Sequence, residues 1–400
     1  MHKIASNSID VRIYNRILIR NIIRKMGPIA RYELAKETGL TPPTITAIVN
    51  ELMEDGIVME VGYGESKGGR RPVMLELNSK AAYIFAVRIQ RDEVVTALFD
   101  IGGNILEHHR QILDTSLVDD VVEAVGNSFD WLIENTGIKK DKVLCCGVAS
   151  PGLINIHRGL IVHSSNLKWD QVPIGALLSK RLYGIPIYIE NISNAAALAE
   201  KEYGCGRGYH DLVYLNLSVG IGAGIIIDDK LYGGSRGYAG EIGHMLLYEP
   251  QFSKGQISYF ESIFGFGAII ERIKEKLPAE VFSEYGLNKS RLKAGDFLSS
   301  PIMERKEVQE ILEESARGIG ITVANLVSIF NPELIILGGE LPKVSEKFVD
   351  IVIQEMNKHV LEEFVSTVKV VNSTMKDDPP LIGAYALALD MLFSIEKWDL

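Results

Sequence analysis

The sequence contains little cysteine and no long apolar run. Its three cysteines, Cys145, Cys146 and Cys205, form no CxxC pair and no even framework, so their spacing suggests neither zinc nor disulfides. The longest uncharged run, residues 212–227, is interrupted by glycines and falls short of the roughly 18 to 20 apolar residues of a membrane span. Met1 to Arg16 has no signal-peptide core. These absences predict a cytoplasmic protein.

The charge is unevenly distributed along the chain. The net charge is −10, yet residues 1–80 contain 12 Lys+Arg against 9 Asp+Glu, whereas the remainder contains 30 against 43. A basic segment at the front of an acidic body indicates that any anionic polymer is bound at that front end. With 400 residues, the chain is also long enough for two or three domains.

Residues 1–78 have the pattern of a DNA-binding domain. Apolar residues recur at helical spacing from Ile13 to Met26, a second helix fits Arg31 to Thr38, and Gly39 supplies a turn. Thr41 is then a good N-cap for a third helix that ends near residue 55. Its apolar face, which we expect to be buried, consists of Ile45, Ile48, Val49 and Leu52. Two helices, a glycine turn and a last helix describe a helix-turn-helix.

The last helix of this domain leaves Thr44, Thr46, Ala47 and Asn50 to face outward. Strands from Ile57 to Val61 and from Pro72 to Leu77 form a wing whose glycine-rich tip can approach phosphates or the minor groove. The predicted DNA-binding residues are Thr41, Thr44, Thr46, Asn50, Lys67, Arg70 and Arg71. The alternative is a three-helix protein-interaction module with a solvated basic loop, but helix order, turn and wing together favour DNA.

Residues 79–400 alternate strand-like and helical runs, which is typical of an α/β architecture. Two blocks that each begin with a β-meander, near Tyr83 and near Leu212, indicate a duplicated, two-lobed fold with a ligand cleft. Gly220, Gly222 and Gly224 separate two apolar strands in the second block. Their spacing fits either an ordinary tight hairpin or a close approach to a phosphate or another backbone.

A polar stretch follows the short apolar strand that ends at Ile189. Glu190, Asn191 and Asn194 lie where open α/β sheets place their ligands, and an alanine-rich helix opens directly after them. Amide groups donate and accept hydrogen bonds together, which suits a polyhydroxylated ligand. Helix capping by the two asparagines explains the pattern equally well.

The chain resembles the ROK family of bacterial sugar-responsive repressors and sugar kinases. The resemblance is strongest in residues 190–197, 218–224, 234–244 and 331–339 and extends to the helix-turn-helix of the family's repressors. It implies an actin-like ATPase fold with one lobe of roughly 79–195 plus the C-terminal helix and a second lobe of 196–385. It also implies a bound monosaccharide. The implied sugar contacts are Asn166, Asn191, Glu241, His244 and Glu261.

The departures from the family pattern argue against catalysis. Family kinases place an aspartate base where Ile192 stands, and an isoleucine cannot take a proton. The kinase phosphate loop aligns with residues 88–92, which contain no glycine and end in Asp92. No cysteine lies between His244 and Glu261, where the family's zinc motif falls. We therefore expect no catalytic residue, no metal and no nucleotide cofactor.

The leading hypothesis is a transcriptional repressor of sugar-utilisation genes, controlled by a monosaccharide such as xylose or glucose. The family implies a homodimer or higher homo-oligomer on operator DNA. One alternative is an ATP-dependent sugar kinase with a fused DNA-binding domain. Another is constitutive DNA binding with a vestigial pocket.

Overall fold

The computed structural model describes residues 8–65, 71–247, 257–289, 292, 294–394 and 398. They form two compact units. Unit 1 consists of Met1–Ser150, Ile156–Glu190 and Ala384–Leu400, and unit 2 of Pro151–Asn155 and Asn191–Gly383. Unit 1 therefore includes residues 1–78 together with most of the first predicted lobe, whereas residues 151–155 and 191–195 of that lobe belong to unit 2. None of the helices within the described ranges has the length and apolar character needed to span a membrane.

The N-terminal part of unit 1 is a winged helix-turn-helix, as predicted. Its elements are α1 (Ser8–Met26), β1 (Ile29–Ala30), α2 (Arg31–Thr38), α3 (Pro42–Glu54), β2 (Val58–Tyr63) and β3 (Val73–Leu77). The strands form one sheet in the order β1-β3-β2. The predicted apolar face of α3 is buried. Thr41 is the N-cap residue, but its hydroxyl lies 2.8 Å from that of Thr44 and makes no capping bond to the backbone.

The rest of unit 1 is built on a five-stranded sheet in the order β11-β7-β4-β5-β6. Strand β4 pairs antiparallel with β5 and parallel with β7, while β5 and β6 complete the meander. The elements are β4 (Tyr83–Gln90), β5 (Glu93–Asp100), β6 (Ile105–Ile112), α4 (Val118–Thr136), β7 (Val143–Ser150), β8 (Leu153–Asn155), β9 (Leu160–Ser164), β10 (Trp169–Val172), α5 (Ile174–Arg181) and β11 (Ile187–Asn191). Strand β8 and the last residue of β11 belong to unit 2.

The sheet of unit 2 has the order β14-β13-β12-β17-β18, which repeats the arrangement of unit 1. Again a meander is extended by parallel strands. Its elements are α6 (Ile192–Tyr203), β12 (Leu212–Leu217), β13 (Ile221–Ile227), β14 (Lys230–Leu231), β15 (Leu246–Leu247), β16 (Ser258–Tyr259), α7 (Phe260–Phe264), α8 (Phe266–Lys276), α9 (Ala279–Glu284), α10 (Ala294–Leu298), α11 (Lys306–Phe330), β17 (Leu334–Gly339), α12 (Glu346–His359), α13 (Glu362–Val365) and β18 (Lys369–Asn372). The repeated order confirms the predicted duplication.

The last helix, α14 (Pro379–Ser394), contains the boundary between the two units. Gly383 lies so close to the Ala195 carbonyl of α6 that a side chain there would overlap it. The Ala384 carbonyl closes in the same way over Gly147 of β7. Glycine thus permits backbone-to-backbone packing of α14 against α6 in unit 2 and against β7 in unit 1.

The glycines of the β12–β13 hairpin make room for a helix. A Cβ on Gly222 would lie 2.6 Å from the Ser193 hydroxyl. One on Gly224 would overlap the Ala197 methyl group and lie 2.5 Å from the Ser193 carbonyl. Helix α6 therefore rests directly on β13. The spacing of these glycines left three interpretations open: a tight hairpin, a phosphate contact or a close approach to another backbone. The structure shows the close approach, because α6 occupies the space beside Gly222 and Gly224.

Candidate functional site

Helix α3 presents an outward face that fits the role of a recognition helix. Thr41, Thr46, Ala47 and Asn50 are exposed, and Thr44 is half-buried. The Thr46 hydroxyl donates a hydrogen bond to the Pro42 carbonyl at 2.9 Å, which leaves its oxygen able to accept from a base. The structure thus leaves Thr46 and Asn50 on the exposed face of this helix, while Thr41 and Thr44 lie at its N-terminal end.

The wing follows in strands β2 and β3. Arg71 is exposed just before β3. Lys67 and Arg70, the other two predicted contacts of the wing, lie outside the described residues. The exposed strand β2 includes Tyr63, 68% of which is accessible. The exposure of Arg71 is compatible with a phosphate contact, which stays a prediction.

Helix α1 carries four arginines at a spacing of four, which places them along one face. The first two brace the recognition helix: Arg12 pairs with Glu51 at 2.5 Å, and Arg16 pairs with Asp55 at the end of α3. Arg16 is also 3.5 Å from Glu51. The ion pairs of Arg12 and Arg16 thus attach α1 to the C-terminal part of α3.

The other two arginines contact the C-terminal segment. Arg20 is fully buried, donates to the Phe393 carbonyl at 2.9 Å, and lies against the rings of Phe393 and Trp398, at 5.2 and 4.9 Å from their centroids. Arg24 pairs with Asp390 at 2.7 Å, and its guanidinium lies 4.8 Å from the centroid of the Phe393 ring. We call these five residues the arginine clamp. Burial, with the charges of Arg16 and Arg24, lowers the pKa of Arg20 to about 10, so it stays protonated at neutral pH.

Unit 2 brings three predicted sugar contacts together. Glu241 precedes a single 3-10 turn, Ile242–His244, and Glu261 lies in the first turn of α7. The Glu261 carboxylate accepts the Ile221 N–H at 2.8 Å and underlies the turn, since a Cβ on Gly243 would lie 3.2 Å from it. His244 is exposed, and its ring meets Tyr259 edge-to-face at 5.4 Å.

The electrostatics of this cluster suit a neutral, hydroxylated ligand. Burial raises the pKa of Glu241; the neighbouring His244 opposes this shift, and the like charge of Glu261 adds to it. Two carboxylates and an imidazole can accept and donate to vicinal hydroxyls. Burial deprives the Glu241 carboxylate of hydrogen bonds from water, and a ligand hydroxyl that donates to it would replace one of them.

Asn191 has a capping role in the structure. Its Oδ1 accepts the Ser193 N–H at 2.8 Å, which caps α6, and its Nδ2 donates to the Gly152 carbonyl at 3.0 Å. Asn191 thus fastens the 151–155 segment to the start of α6. The capping interpretation is confirmed for Asn191 but is wrong for Asn194, which lies buried within α6. The sugar contact of Asn191 stays a prediction. The next residue, Ile192, begins α6.

Asn166, the fifth predicted sugar contact, belongs to unit 1. It is exposed in the loop between β9 and β10, next to the fully buried Leu167. The Leu167 N–H donates to the Ser164 hydroxyl at 3.4 Å, and the Trp169 ring N–H donates to the Ser116 carbonyl at 3.2 Å. These contacts fix the loop and leave the Asn166 amide at its surface.

The segment that aligns with the kinase phosphate loop is a tight, charged hairpin. Arg91 and Asp92 form its turn, and Asp92 has a φ of +62°. Arg88 makes an ion pair with Glu93, and Glu93 also pairs with Arg110. The arginines at this hairpin are thus paired within the protein, and the Asp92 carboxylate would repel the negative charge of a triphosphate. Within the described ranges, no group of three or more His, Cys, Asp or Glu side chains is arranged to hold a metal.

The fold therefore defines a winged helix-turn-helix followed by a duplicated, actin-like body. The ROK family model matches residues 84–391, and a winged helix-turn-helix DNA-binding model matches residues 14–59. The chain belongs to the ROK family.

Individual relatives extend this result. A putative xylose repressor of Caldicellulosiruptor sp. strain Rt8B.4 is 30% identical over 389 residues, which cover 96% of this chain and 97% of that protein. A solved ROK family transcriptional regulator, a homologue of the Escherichia coli MLC protein, matches with a TM-score of 0.78 at 23% identity, over 96% of this chain and 98% of the other. A ROK family glucokinase from Streptomyces griseus, solved with glucose and AMPPNP, matches at 0.67 and 23% identity, over 77% of this chain and all (100%) of its own. The regulator thus matches nearly the whole chain, including the DNA-binding head, and the kinase a smaller part of it.

Proposed function

We propose that the protein is a ROK-type transcriptional repressor whose binding to operator DNA is controlled by a monosaccharide. The observation that carries this proposal is the exposed face of α3, with Thr46 and Asn50 outward and its inner face fully buried. A helix braced in this way, followed by a wing, is the arrangement that reads base edges in the major groove. A repressor acts where the chromosome is, so we place it in the cytoplasm.

The cluster of Glu241, His244 and Glu261 supports a sugar as the controlling ligand. We propose an aldose, with xylose first and glucose second, because the relative with 30% identity is named a putative xylose repressor. Asn166 and Asn191 are proposed to complete the contacts with the sugar. Sites of this kind reject analogues that lack a hydroxyl, because a buried polar group is then left without its partner.

We further propose that the protein binds DNA as a homodimer and lacks catalytic activity. Two recognition helices on a symmetric dimer would require half-sites about one helical turn, or a multiple of it, apart. Phosphoryl transfer needs an oriented nucleophile and a held triphosphate. Ile192 and the ion-paired hairpin of Arg88 and Glu93 provide neither. Nor do we expect a zinc or nucleotide cofactor.

Fluorescence polarisation with DNA from upstream of the protein's own gene tests the repressor. We expect binding to this fragment over a scrambled one, and a change in affinity when xylose or glucose is added. Asn50→Ala should weaken operator binding by about 1 to 3 kcal/mol if Asn50 contacts a base edge. Asn135→Ala, at an exposed position on α4, is the matched control and should bind as the wild type does. Equal binding to both fragments would contradict the proposal.

A coupled assay for ATP turnover tests the absence of kinase activity. We expect no sugar-dependent turnover in the wild type and none in Ile192→Asp, because residues 88–92 are altered as well. Sugar phosphorylation by the wild type that is lost in Glu241→Gln would establish the kinase alternative. Calorimetry of the same protein with xylose, glucose and N-acetylglucosamine then separates a sugar-controlled repressor from a constitutive one, which would bind none of them.

A further inference from the structure

Helix α14 connects two parts of the protein to which different functions are assigned. Residues up to Gly383 belong to unit 2, which holds the Glu241 cluster, and residues from Ala384 onward belong to unit 1, which holds the DNA-binding head. DNA and a sugar can influence each other only through an element that contacts both functional parts and has a different state in each complex. Helix α14 satisfies the first condition.

At its N-terminal end, α14 lies on α6 with no side chain in between. Gly383 meets the backbone of Ala195, one turn after the α6 N-cap at Asn191. Helix α6 in turn rests on Gly222 and Gly224 of β13. Strand β13 begins at Ile221, whose N–H is held by Glu261 of the candidate sugar site. A shift of Glu261 or Asn191 on ligand binding would therefore reach Gly383 through close-packed backbone, which transmits displacement well.

At its C-terminal end, α14 holds the DNA-binding head by the arginine clamp. Arg20 bonds to the Phe393 carbonyl at 2.9 Å, Arg24 bonds to Asp390 at 2.7 Å, and the Asn21 amide also donates to the Phe393 carbonyl at 3.2 Å. These contacts all come from the same helix, α1, that braces α3 through Arg12 and Arg16. A single helix, α1, thus contacts both α14 and α3.

The clamp contains a buried charge, which hydrophobic packing alone would not require. Arg20 is 0% exposed, and a charge at such a position costs free energy unless its surroundings compensate. The two aromatic rings and the carbonyl supply that compensation through cation–π and hydrogen-bond contacts. A hydrophobic side chain would pack there more simply. The hydrogen bond and the cation–π contacts of Arg20 both require a particular geometry, so they are suited to fixing one orientation of α1.

We propose that α14 is the coupling element between sugar and operator, and that the arginine clamp is the joint through which it sets the position of α1 and α3. This inference rests on the proposed function, because it assumes that the protein binds both ligands. Asp390 and Arg24 are positioning residues in this scheme and touch neither ligand.

The test is a binding cycle on the full chain. Operator affinity is measured with and without saturating xylose, or glucose if calorimetry shows that only glucose binds. Their ratio is the coupling, which typically lies between about 5-fold and 150-fold in regulated proteins. Sugar affinity with and without operator must give the same ratio, because the linkage is reciprocal.

Three variants alter the clamp. Asp390→Arg places a third cation beside Arg20 and Arg24, Arg24→Asp places a second anion beside Asp390, and the double variant exchanges the two charges. Lys140→Gln, which removes an ion pair with Asp130 of α4 at 2.7 Å, is the control, because neither residue belongs to α1, α3 or α14.

We expect Asp390→Arg and Arg24→Asp to bring the ratio below about twofold while each ligand still binds alone, and the charge exchange to restore it. Lys140→Gln should keep the wild-type ratio. A wild-type ratio in Asp390→Arg would overturn the inference and leave the proposed function intact. A ratio of one in the wild type would instead show that the proposed sugar control is wrong.

Hydrogen exchange covers the case in which Asp390→Arg no longer binds the operator. In the free wild-type protein, sugar should change the exchange of amides in both α14 and α1, and Asp390→Arg should keep the change in residues 379–383 and lose it in α1. Sugar binding that leaves α1 exchange unaltered in the wild type would refute the coupling role of α14.

Discussion

Asn191 provides the sharpest test of how the candidate sugar site is built. Asn191→Ala removes two bonds at once, the cap to the Ser193 N–H at 2.8 Å and the bond to the Gly152 carbonyl at 3.0 Å. A lost N-cap costs about 1 kcal/mol, and a lost hydrogen bond about 1 kcal/mol more. Asn191→Ser keeps a cap of similar strength but cannot reach Gly152, so it should cost only about 1 kcal/mol.

Thermal unfolding and hydrogen exchange measure this series. For a unit the size of unit 2, 1 kcal/mol corresponds to about 2 to 4 °C in Tm, so Asn191→Ala should lower Tm by about 4 to 8 °C and Asn191→Ser by about half as much. Exchange in the first turn of α6 should rise in Asn191→Ala and stay near the wild-type level in Asn191→Ser. Asn135→Ala, at an exposed helical position, should leave both measurements unchanged or slightly improved.

Two outcomes would refute this reasoning. If Asn191→Ala unfolded at the wild-type temperature with unchanged exchange in α6, the side chain would have no capping role in solution. If Asn191→Ser kept full sugar affinity, the proposed contact between Asn191 and the sugar would be wrong, and the residue would act only through the backbone of α6 and the 151–155 segment.

Three further predictions concern other parts of the chain. Burial raises the pKa of Glu241, so the folded protein favours its protonated form. Without sugar, the free energy of unfolding should therefore fall as the pH rises from the ordinary pKa of 4.5 through the raised pKa of the folded state. Chemical denaturation at several pH values measures this dependence, and Glu241→Gln should lack it. Gly224→Ala should cost about 1 to 3 kcal/mol by displacing α6 from β13, measured as a lower Tm, whereas Gly267→Ala, with its nearest neighbour 3.8 Å away, should not. Arg71→Ala should reduce the salt dependence of operator binding by about 0.9 in log–log slope, and an unchanged slope would remove Arg71 from the phosphate contacts.

Much of the DNA-binding domain could be predicted because its signals are local. Gly39, Thr41 and Pro42 mark the start of α3 within the sequence itself, and the observed helix runs from Pro42 to Glu54. The capping bond of Thr41 was expected and does not form, because its hydroxyl lies against that of Thr44. Local patterns thus located the helix correctly but did not determine the hydrogen bond.

The role of the basic residues in α1 could not be predicted from composition. The positive charge of residues 1–80 indicated contacts with an anionic polymer, yet Arg16, Arg20 and Arg24 pair with acidic and aromatic side chains of the protein. Their spacing of four predicts a common face. It cannot reveal that Asp390 and Phe393, more than three hundred residues away, lie on that face.

The candidate sugar site was predictable only in part, for a similar reason. The resemblance to the ROK family indicated Glu241, His244 and Glu261, and the structure brings these three together around the 3-10 turn. For the hairpin glycines, spacing alone could not choose between a ligand and a neighbouring helix. That choice depends on α6, which precedes the hairpin in the chain and packs across it.

The contact between Arg20 and the Phe393 carbonyl joins residues 373 positions apart, and this separation bears on how the protein is made. A ribosome adds about 5 to 20 residues per second, so roughly 20 to 75 s pass between the two. During that time a nascent chain has a helix-turn-helix whose α1 lacks its partner. The contacts of Arg20 and Arg24 can form only after Asp390, Phe393 and Trp398 have left the ribosome, so an incomplete product of translation lacks the joint through which we propose that sugar acts.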